Sequence, residues 1–349
     1  MPTYKDEKRG TWYCSFYYGD WTGAKKKKKK EGFKTQKEAK AFERDFLSKQ
    51  ENNCDMIFGN LIELYLDDAG TRVRSTTLEN KKTLITLKIL PYFKDLIVKD
   101  ITPNHIRKWQ NALKQQKYAE TYLRTINNQL SAIFNFAIKY YNLNSNPAFK
   151  AGSMGKKNAD SMKFWTTDEF KKFINFNDKP ISSLAFKVLF WTGIRSGELM
   201  ALTFKDIDLD RRTLDVNKTY TRLNQKDIIS LPKTPKSKRT ISLSESLCKD
   251  IKAYEDSLYS YKESDRIFSF TKYFLKHEMS RVCKKSEVKR IRIHDLRHSH
   301  ASLLIELGFA PLAISERLGH EKVETTLNTY AHLYPNKDIT ISNKLNDLY

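Results

Sequence analysis

The sequence contains little cysteine, and that little is dispersed. Cys14, Cys54, Cys248 and Cys283 are spread over 349 residues, with no CxxC pair and no spacing typical of metal ligands. A disulfide framework or a zinc site requires closely spaced or paired ligands. The pattern therefore predicts free thiols in a reducing compartment, and it predicts no structural metal.

Long apolar runs and a balancing acidic charge are also missing. No stretch approaches the roughly 20 apolar residues of a membrane span, and the opening MPTYKDEKRG lacks the apolar core of a secretory signal. We therefore expect a cytoplasmic chain with no membrane partner. The net charge of +22 and the pI of about 9.6 favour a polyanionic partner such as nucleic acid. Composition alone leaves open a ribosome-associated or membrane-surface protein.

Residues 1–55 have the pattern of a separate small unit. The aromatic run TWYCSFYY at 11–18 predicts a strand, and a second short strand is expected around Phe33. Ala39, Phe42 and Phe46 then recur at helical spacing. Together these features predict a small sheet with one helix packed on it.

An uninterrupted lysine run lies inside this unit. By itself it is open to two interpretations: a solvated hairpin loop, or a loop or strand edge laid against DNA phosphates. The chemistry predicted further along the chain favours the second. The candidate DNA-binding residues are Lys25, Lys26, Lys27, Lys28, Lys29 and Lys30.

The rest of the chain is mainly helical in pattern. Residues 56–150 show apolar helical periodicity, with Thr102-Pro103 as a helix start, and the polar residues 151–163 are typical of a linker. Beyond them, a helix is expected to open at Thr167, and short strands over 213–243 predict a small antiparallel sheet. The expected fold class is mainly α with small antiparallel sheets (α+β).

Four short motifs near the C-terminal half carry the chemistry. They are TGIRSGEL (192–199), HDLRHSHAS (294–302), ERLGH (316–320) and TTLNTYAHL (325–333). Cleaving a phosphodiester requires a nucleophile, charge neutralisation on the phosphate and a proton for the leaving oxygen. Arginine suits the second task because its planar fork binds phosphate oxygens and stays charged. The motifs supply the candidates Arg195, His294, Arg297, His320 and Tyr330.

These motifs, together with the segment PKT…KRTISL, resemble the tyrosine recombinases, specifically the integrases of phages and integrative elements. The resemblance covers the whole chain in layout and is strongest over 165–335. It implies a three-domain architecture. The implied parts are an arm-type DNA-binding domain (1–55), a helical core-binding, SAM-like domain (56–150), a linker (151–163) and a catalytic domain with a C-terminal tail (164–349).

The resemblance also implies residue roles around the phosphate. Arg195 and Arg297 would bind the scissile phosphate, and His294 would help to deprotonate the nucleophile. Glu198, one helical turn from Arg195, would hold that arginine in place, although an ordinary surface glutamate is the alternative. His294 and His298 also have a helical metal-ligand spacing, but the intervening Arg297 would repel a cation.

The remaining roles concern the nucleophile and the leaving group. The resemblance implies that Tyr330 is the nucleophile and that His320 hydrogen-bonds the phosphate. Lys233 would protonate the leaving 5′-oxygen. Because Lys236 and Lys238 are close neighbours, the register of this lysine stays open between Lys233 and Lys236.

The implied function is that of a site-specific integrase acting through a 3′-phosphotyrosyl intermediate without a cofactor. The implied partners are double-stranded DNA with arm and core sites, three further copies in a tetramer on paired sites, and an excisionase or DNA-bending protein. The C-terminal tail is expected to dock on a neighbouring subunit. A type IB topoisomerase and a non-catalytic DNA-binding regulator of the same fold are the alternatives, and the sequence does not separate a phage from a conjugative element.

Overall fold

The computed structural model describes residues 3–7, 9–19, 25–50, 54–157, 162–232 and 234–333. The chain divides into two compact units, Met1–Asp160 and Ser161–Tyr349. The predicted arm and core-binding domains both fall in the first unit, so the boundary between them stays a prediction. None of the described helices is long and apolar enough to cross a membrane.

The chain begins with a three-stranded antiparallel sheet. Strands β1 (Thr3–Asp6), β2 (Thr11–Gly19) and β3 (Lys25–Phe33) lie in that order, and helix α1 (Gln36–Gln50) follows. Because alternate strand residues face opposite sides, Cys14 and Phe16 of β2 share one face and pack in a cluster with Ala39 of α1. The predicted sheet with one helix is confirmed.

Helices build the rest of the first unit. Thr102 accepts a hydrogen bond from the His105 backbone amide and caps α5, with Pro103 as its first residue, as the sequence predicts. Ile106, Trp109 and Leu113 of that helix are buried. The helices are α2 (Phe58–Arg72), α3 (Ser75–Leu84), α4 (Leu90–Phe93), α5 (Pro103–Gln115), α6 (Glu120–Tyr141) and α7 (Pro147–Lys150).

The first residues of the predicted linker are packed rather than free. Ala151 and Met154 are buried in the helical core, and the Gly152 carbonyl accepts a 2.7 Å hydrogen bond from Gln110. At Gly155 (φ +77°) a Cβ would lie 2.0 Å from the Glu120 carbonyl oxygen, so only glycine permits this close approach. These apolar and glycine residues explain why the first part of the segment packs against the helical core, although the segment as a whole is polar.

The second unit is a helical assembly with short strands. Its helices are α8 (Thr167–Asn175), α9 (Pro180–Thr192), α10 (Ser196–Leu199), α11 (Glu245–Asp256), α12 (Lys272–Ser286), α13 (Asp295–Glu306), α14 (Pro311–Leu318) and α15 (Val323–Tyr330). Its strands are β4 (Ile207–Asp208), β5 (Thr213–Val216), β6 (Thr219–Leu223), β7 (Lys226–Ser230) and β8 (Arg239–Ser242). A mainly helical fold with small antiparallel sheets is confirmed.

One detail of this unit agrees with the prediction and another differs. Helix α8 begins at Thr167, as predicted, and Thr166 caps it through a reciprocal capping box with Glu169. The strands form two sheets, β4-β5-β8 and β6-β7, instead of one. Strand β8 pairs with β5 because Ile241 buries its side chain there beside Leu214. Every residue of β7 is exposed, including Ile228 and Ile229, and among the described strands β7 pairs only with β6.

Candidate active site

The turn between α9 and α10 positions Arg195 and Glu198. Gly193 ends α9 with φ +67°, where a Cβ would lie 2.6 Å from the His300 ring. The Glu198 carboxylate accepts hydrogen bonds from Arg195 Nη1 (2.8 Å) and from the Arg195 backbone amide (2.9 Å). Burial by itself would raise the pKa of Glu198, but the charges of Arg239 and Arg195 outweigh it and hold that pKa below its ordinary value.

Arg297 is buried behind this turn. Its side chain, on α13, donates from Nη1 to the Gly193 carbonyl (2.8 Å) and from Nη2 to the Leu318 carbonyl (2.6 Å). Burial and the charge of Arg195 lower the pKa of Arg297 to about 9. Arg195 Nη2 reaches the Gly319 carbonyl at 3.4 Å, so both arginines are attached to the turn that ends α14.

The same turn places His320. Gly319 caps α14 with φ +68°, and the half-buried His320 follows with Nδ1 2.8 Å from the hydroxyl oxygen of buried Thr326. Burial, then the positive charges of Arg297 and Arg195, lower the pKa of His320 to about 4. The ring is therefore neutral near pH 7, with Nδ1 engaged by α15.

Tyr330 is buried, and its hydroxyl is hydrogen-bonded to a histidine. Only 1% of Tyr330 is exposed, and its hydroxyl lies 2.7 Å from His298 Nδ1. Burial, partly offset by Arg297, raises the pKa of Tyr330 to about 12, and burial beside His294 lowers the pKa of His298 to about 4. Both partners of this hydrogen bond are therefore uncharged near neutral pH.

His294 occupies the exposed rim next to this pair. Its ring meets the His298 ring edge-on, with centroids 5.2 Å apart, and partial burial with the charges of Arg297 and Arg195 lowers its pKa. The residue implied as the aid to deprotonation thus contacts His298, while His298 contacts the Tyr330 hydroxyl. From spacing alone, His298 is a candidate only as a metal ligand, and its place directly after Arg297 in HDLRH is the signal in the sequence that marks it.

The lysines predicted as proton donors belong to the segment between β7 and β8. Lys233 and the tail from residue 334 lie outside the described residues. Lys236 and Lys238 are exposed on either side of the buried Ser237. Because β7 and β8 belong to different sheets, the segment between them connects two sheets and does not close a hairpin. The register of the lysine stays a prediction.

Arg239 completes the cluster and had no assigned role in the sequence. It is the first residue of β8, with 7% of its side chain exposed. Its Nη2 donates to Glu198 (3.0 Å), its Nε to the Arg317 carbonyl (2.8 Å) and its Nη1 to the Ser237 carbonyl (3.0 Å). It lies in KRTISL, but that segment does not indicate its partner, because Glu198 is 41 positions away in the chain.

All four cysteines are buried and free, as predicted. Within the described ranges, no three His, Cys, Asp or Glu side chains are grouped so that they could hold a metal ion.

The open face of the arm sheet combines tyrosine and lysine. Lys27 and Lys29 lie on the edge strand β3, opposite Tyr17 and Ser15 of β2. The Lys29 ammonium lies 4.6 Å from the Tyr13 ring centroid, and the Lys27 ammonium lies 5.7 Å from that of Tyr17. These residues line a hollow of about 650 Å³.

The six lysines of the run do not share one environment. The run forms a strand, so the interpretation as a hairpin loop is wrong. Lys28 points to the helix side, with its ammonium 4.4 Å from the Phe46 ring centroid, and Lys30 is exposed. The side chains of Lys25 and Lys26 lie outside the described part of the chain.

Comparison with known proteins places this arrangement in a class. Residues 163–337 match the phage integrase family, 57–114 match the N-terminal SAM-like domain of phage integrases, and 2–50 match an arm DNA-binding domain. An arm DNA-binding domain, a SAM-like domain and a cluster of arginine, histidine and tyrosine side chains together define a tyrosine recombinase. Such an enzyme is a DNA strand transferase.

Relatives agree with this class. The ICEBs1 integrase of Bacillus subtilis (strain 168) is 32% identical over 312 residues, covering 83% of each chain. The integrase of Staphylococcus phage L54a is 26% identical, covering 82% of this chain and 90% of the relative. The chain belongs to the phage integrase family and is an integrase of the type found in phages, transposons and integrative conjugative elements.

Solved structures share the fold. The Tn1549 transposon integrase in complex with circular intermediate DNA superposes with a TM-score of 0.71 at 20% identity, covering 84% of this chain and 100% of that one. A lambda integrase tetramer bound to a Holliday junction gives 0.60 at 17% identity, covering 96% and 95%.

Proposed function

We propose that this integrase cleaves and rejoins DNA through a covalent bond between Tyr330 and a 3′-phosphate, and that it thereby integrates and excises a mobile element. The supporting observation is the convergence of Arg195, Arg297 and His320 on the turn at Gly319, directly before the helix that ends in Tyr330. The same residue types are those that metal-free phosphodiester transfer requires.

The phosphate is bound by the arginines and His320. Arg195 leaves 37% of its side chain exposed, and Arg297 uses two of its five donors on carbonyls. Charge-assisted bonds from these groups stabilise the crowded negative charge of the transition state. If the Thr326 hydroxyl donates to His320 Nδ1, the neutral ring carries its proton on Nε2 and donates it to a non-bridging oxygen.

The nucleophile is Tyr330. Its pKa of about 12 means that the hydroxyl is protonated, so a base takes the proton as the tyrosine oxygen bonds to phosphorus. His298 Nδ1 already lies 2.7 Å from this hydroxyl in the DNA-free chain, and His294 is next to His298. The bond from phosphorus to the 5′-oxygen breaks, and Lys233, the lysine implied by the resemblance, supplies a proton to that oxygen.

Rejoining reverses these bonds with a different strand. A 5′-hydroxyl from the partner duplex attacks the phosphotyrosyl bond and releases Tyr330, so no ATP or other cofactor is consumed. Two such exchanges join two duplexes through a four-way junction. We infer that the chain acts as a homotetramer on paired sites in the bacterial cytoplasm, and that an excisionase or DNA-bending protein sets the direction.

The arm sheet supplies a second DNA contact. Lys27 and Lys29 place two ammonium groups on an open face with the rings of Tyr13 and Tyr17. Lysines of this kind neutralise phosphates and release counterions. We infer that residues 1–55 bind arm-type sites, and that 56–150 and 164–349 hold the core site where the strands are cut.

The test is recombination of a plasmid that carries the two ends of the element, in buffer with EDTA. The expected result is recombined product from the wild-type chain and none from the matched control Tyr330→Phe. Relaxation of a supercoiled plasmid without paired sites would instead favour a type IB topoisomerase. Site binding with no cleavage by the wild-type chain would favour a non-catalytic regulator.

A further inference from the structure

We propose that Arg239 is a positioning residue: it neutralises Glu198 so that Arg195 stays available to the scissile phosphate. The inference rests on the proposed role of Arg195 as a phosphate ligand. It goes beyond that role because it assigns a function to Arg239, which lies in the segment KRTISL and has no role in the sequence prediction.

The geometry is a carboxylate between two arginines of unequal exposure. Glu198 Oε1 accepts from Arg195 Nη1 at 2.8 Å, and Oε2 accepts from Arg239 Nη2 at 3.0 Å. The side chains of Glu198 and Arg239 are 4% and 7% exposed, whereas that of Arg195 is 37% exposed. Arg239 therefore lies inside the protein, whereas Arg195 is exposed to solvent, where a DNA phosphate can reach it.

The charges explain why the second arginine is needed. A buried carboxylate with one cation would bind that cation strongly, because attraction increases in a low-dielectric site. Glu198 would then compete with a DNA phosphate for Arg195. With Arg239 in place, the three groups carry one net positive charge, and the Arg195 guanidinium keeps its attraction for phosphate.

Arg239 is itself fixed in place. Its Nε and Nη1 bond the carbonyls of Arg317 and Ser237, and its Nη1 lies 3.0 Å from where a Cβ on Gly319 would be. The arginine thus also anchors the end of α14, whose following Gly319 carbonyl accepts from Arg195. Lysine would keep the charge but could not reproduce this fork of three bonds.

The test is a rescue experiment on single-turnover cleavage of a nicked duplex carrying one end of the element. Arg239→Met is expected to cleave about 100-fold more slowly than wild type, the scale of loss from a misplaced catalytic group, with unchanged DNA affinity. Arg239→Lys should lose less, because it keeps the charge. Adding Glu198→Gln to Arg239→Met should restore the rate to within about tenfold of wild type, since no uncompensated carboxylate remains.

A matched control separates this effect from loss of a buried ion pair in general. Arg281 pairs with Glu278, whose side chain is fully buried, in α12, so Arg281→Met should cleave at the wild-type rate. The proposal is overturned if Arg239→Met cleaves as fast as this control, or if Glu198→Gln fails to restore it.

Folding and the underlying site are tested separately. If Arg239→Met does not fold, as judged by its melting temperature, the double variant carries the test, because neutral pairs often replace buried ion pairs without loss of stability. A folded double variant that is still about 100-fold slow would then overturn the proposal. Normal cleavage by Arg195→Met would show that the proposed site is wrong. An inactive Arg195→Met beside a fully active Arg239→Met would show that only this inference is wrong.

Discussion

Removing the Tyr330 hydroxyl should increase the local opening of α15, the helix that carries it. In Tyr330→Phe the partly buried His298 Nδ1 loses the partner it holds at 2.7 Å. An unsatisfied buried polar atom costs about 1–3 kcal/mol, which corresponds to about 5- to 150-fold faster local opening. Hydrogen exchange of the DNA-free chain, followed by mass spectrometry of peptides covering 323–330, measures this directly.

Two further variants make the result specific. Tyr259→Phe, at a fully exposed tyrosine, should leave exchange in 323–330 unchanged. Adding His298→Phe to Tyr330→Phe removes both partners and should slow exchange again, since two apolar groups leave no orphaned atom. Exchange at the wild-type rate in Tyr330→Phe would refute the buried hydrogen bond, and with it the description of the nucleophile in the resting protein.

Three other outcomes follow from the charges of the molecule. Burial lowers the pKa of His298 and of His320 to about 4 from an ordinary 6.5, so the unfolded chain takes up protons first. Stability is therefore complete above pH 6.5 and is lost as pH falls towards 4, by at most about 1.4 kcal/mol per pH unit for each histidine, as urea unfolding at pH 7 and pH 5 can show. Replacing Lys27 and Lys29 by alanine should make the logarithmic salt dependence of arm-site binding shallower by about 2, measured by titration at several salt concentrations. Chelators should leave the rate of cleavage unchanged, measured by adduct formation with and without EDTA.

Each of these three predictions has a control or a result that would contradict it. His277→Gln, at an exposed histidine, should keep the wild-type pH dependence, and a flat profile in the wild-type chain would contradict the buried neutral rings. Lys28→Ala, on the helix side of the arm sheet, should change the salt dependence less than the pair Lys27 and Lys29. Loss of cleavage in EDTA, restored by a divalent cation, would contradict phosphate neutralisation by arginine.

Local sequence predicted those parts of the site that depend on short-range spacing. Glu198 reaches Arg195 because they are one helical turn apart, and the glycine before His320 ends α14 where the motif places it. The same holds for the Thr102-Pro103 helix start and for the sheet with one helix at the N-terminus. These features require only a few neighbouring residues, which is why pattern and propensity suffice.

Long-range packing decided what the sequence left out. Arg239 meets Glu198 only because β8 pairs with β5, and two strands with similar patterns gave no sign of which would pair. The hydrogen-bond partner of Tyr330 depends on where α15 packs against α13. Spacing alone therefore could not show which of the two histidines in HDLRH, His294 or His298, contacts the Tyr330 hydroxyl. The choice between Lys233 and Lys236 also depends on long-range packing, because the strands on either side of these lysines belong to different sheets.

Trapping the covalent bond between Tyr330 and DNA tests the proposed function most directly. A nicked duplex with one element end should trap the adduct, and protease digestion followed by mass spectrometry identifies the modified peptide. We expect a 3′-phosphotyrosyl bond on Tyr330, with the adduct absent from Tyr330→Phe and retained in Tyr334→Phe. An adduct on another residue, or one that persists in Tyr330→Phe, would contradict it.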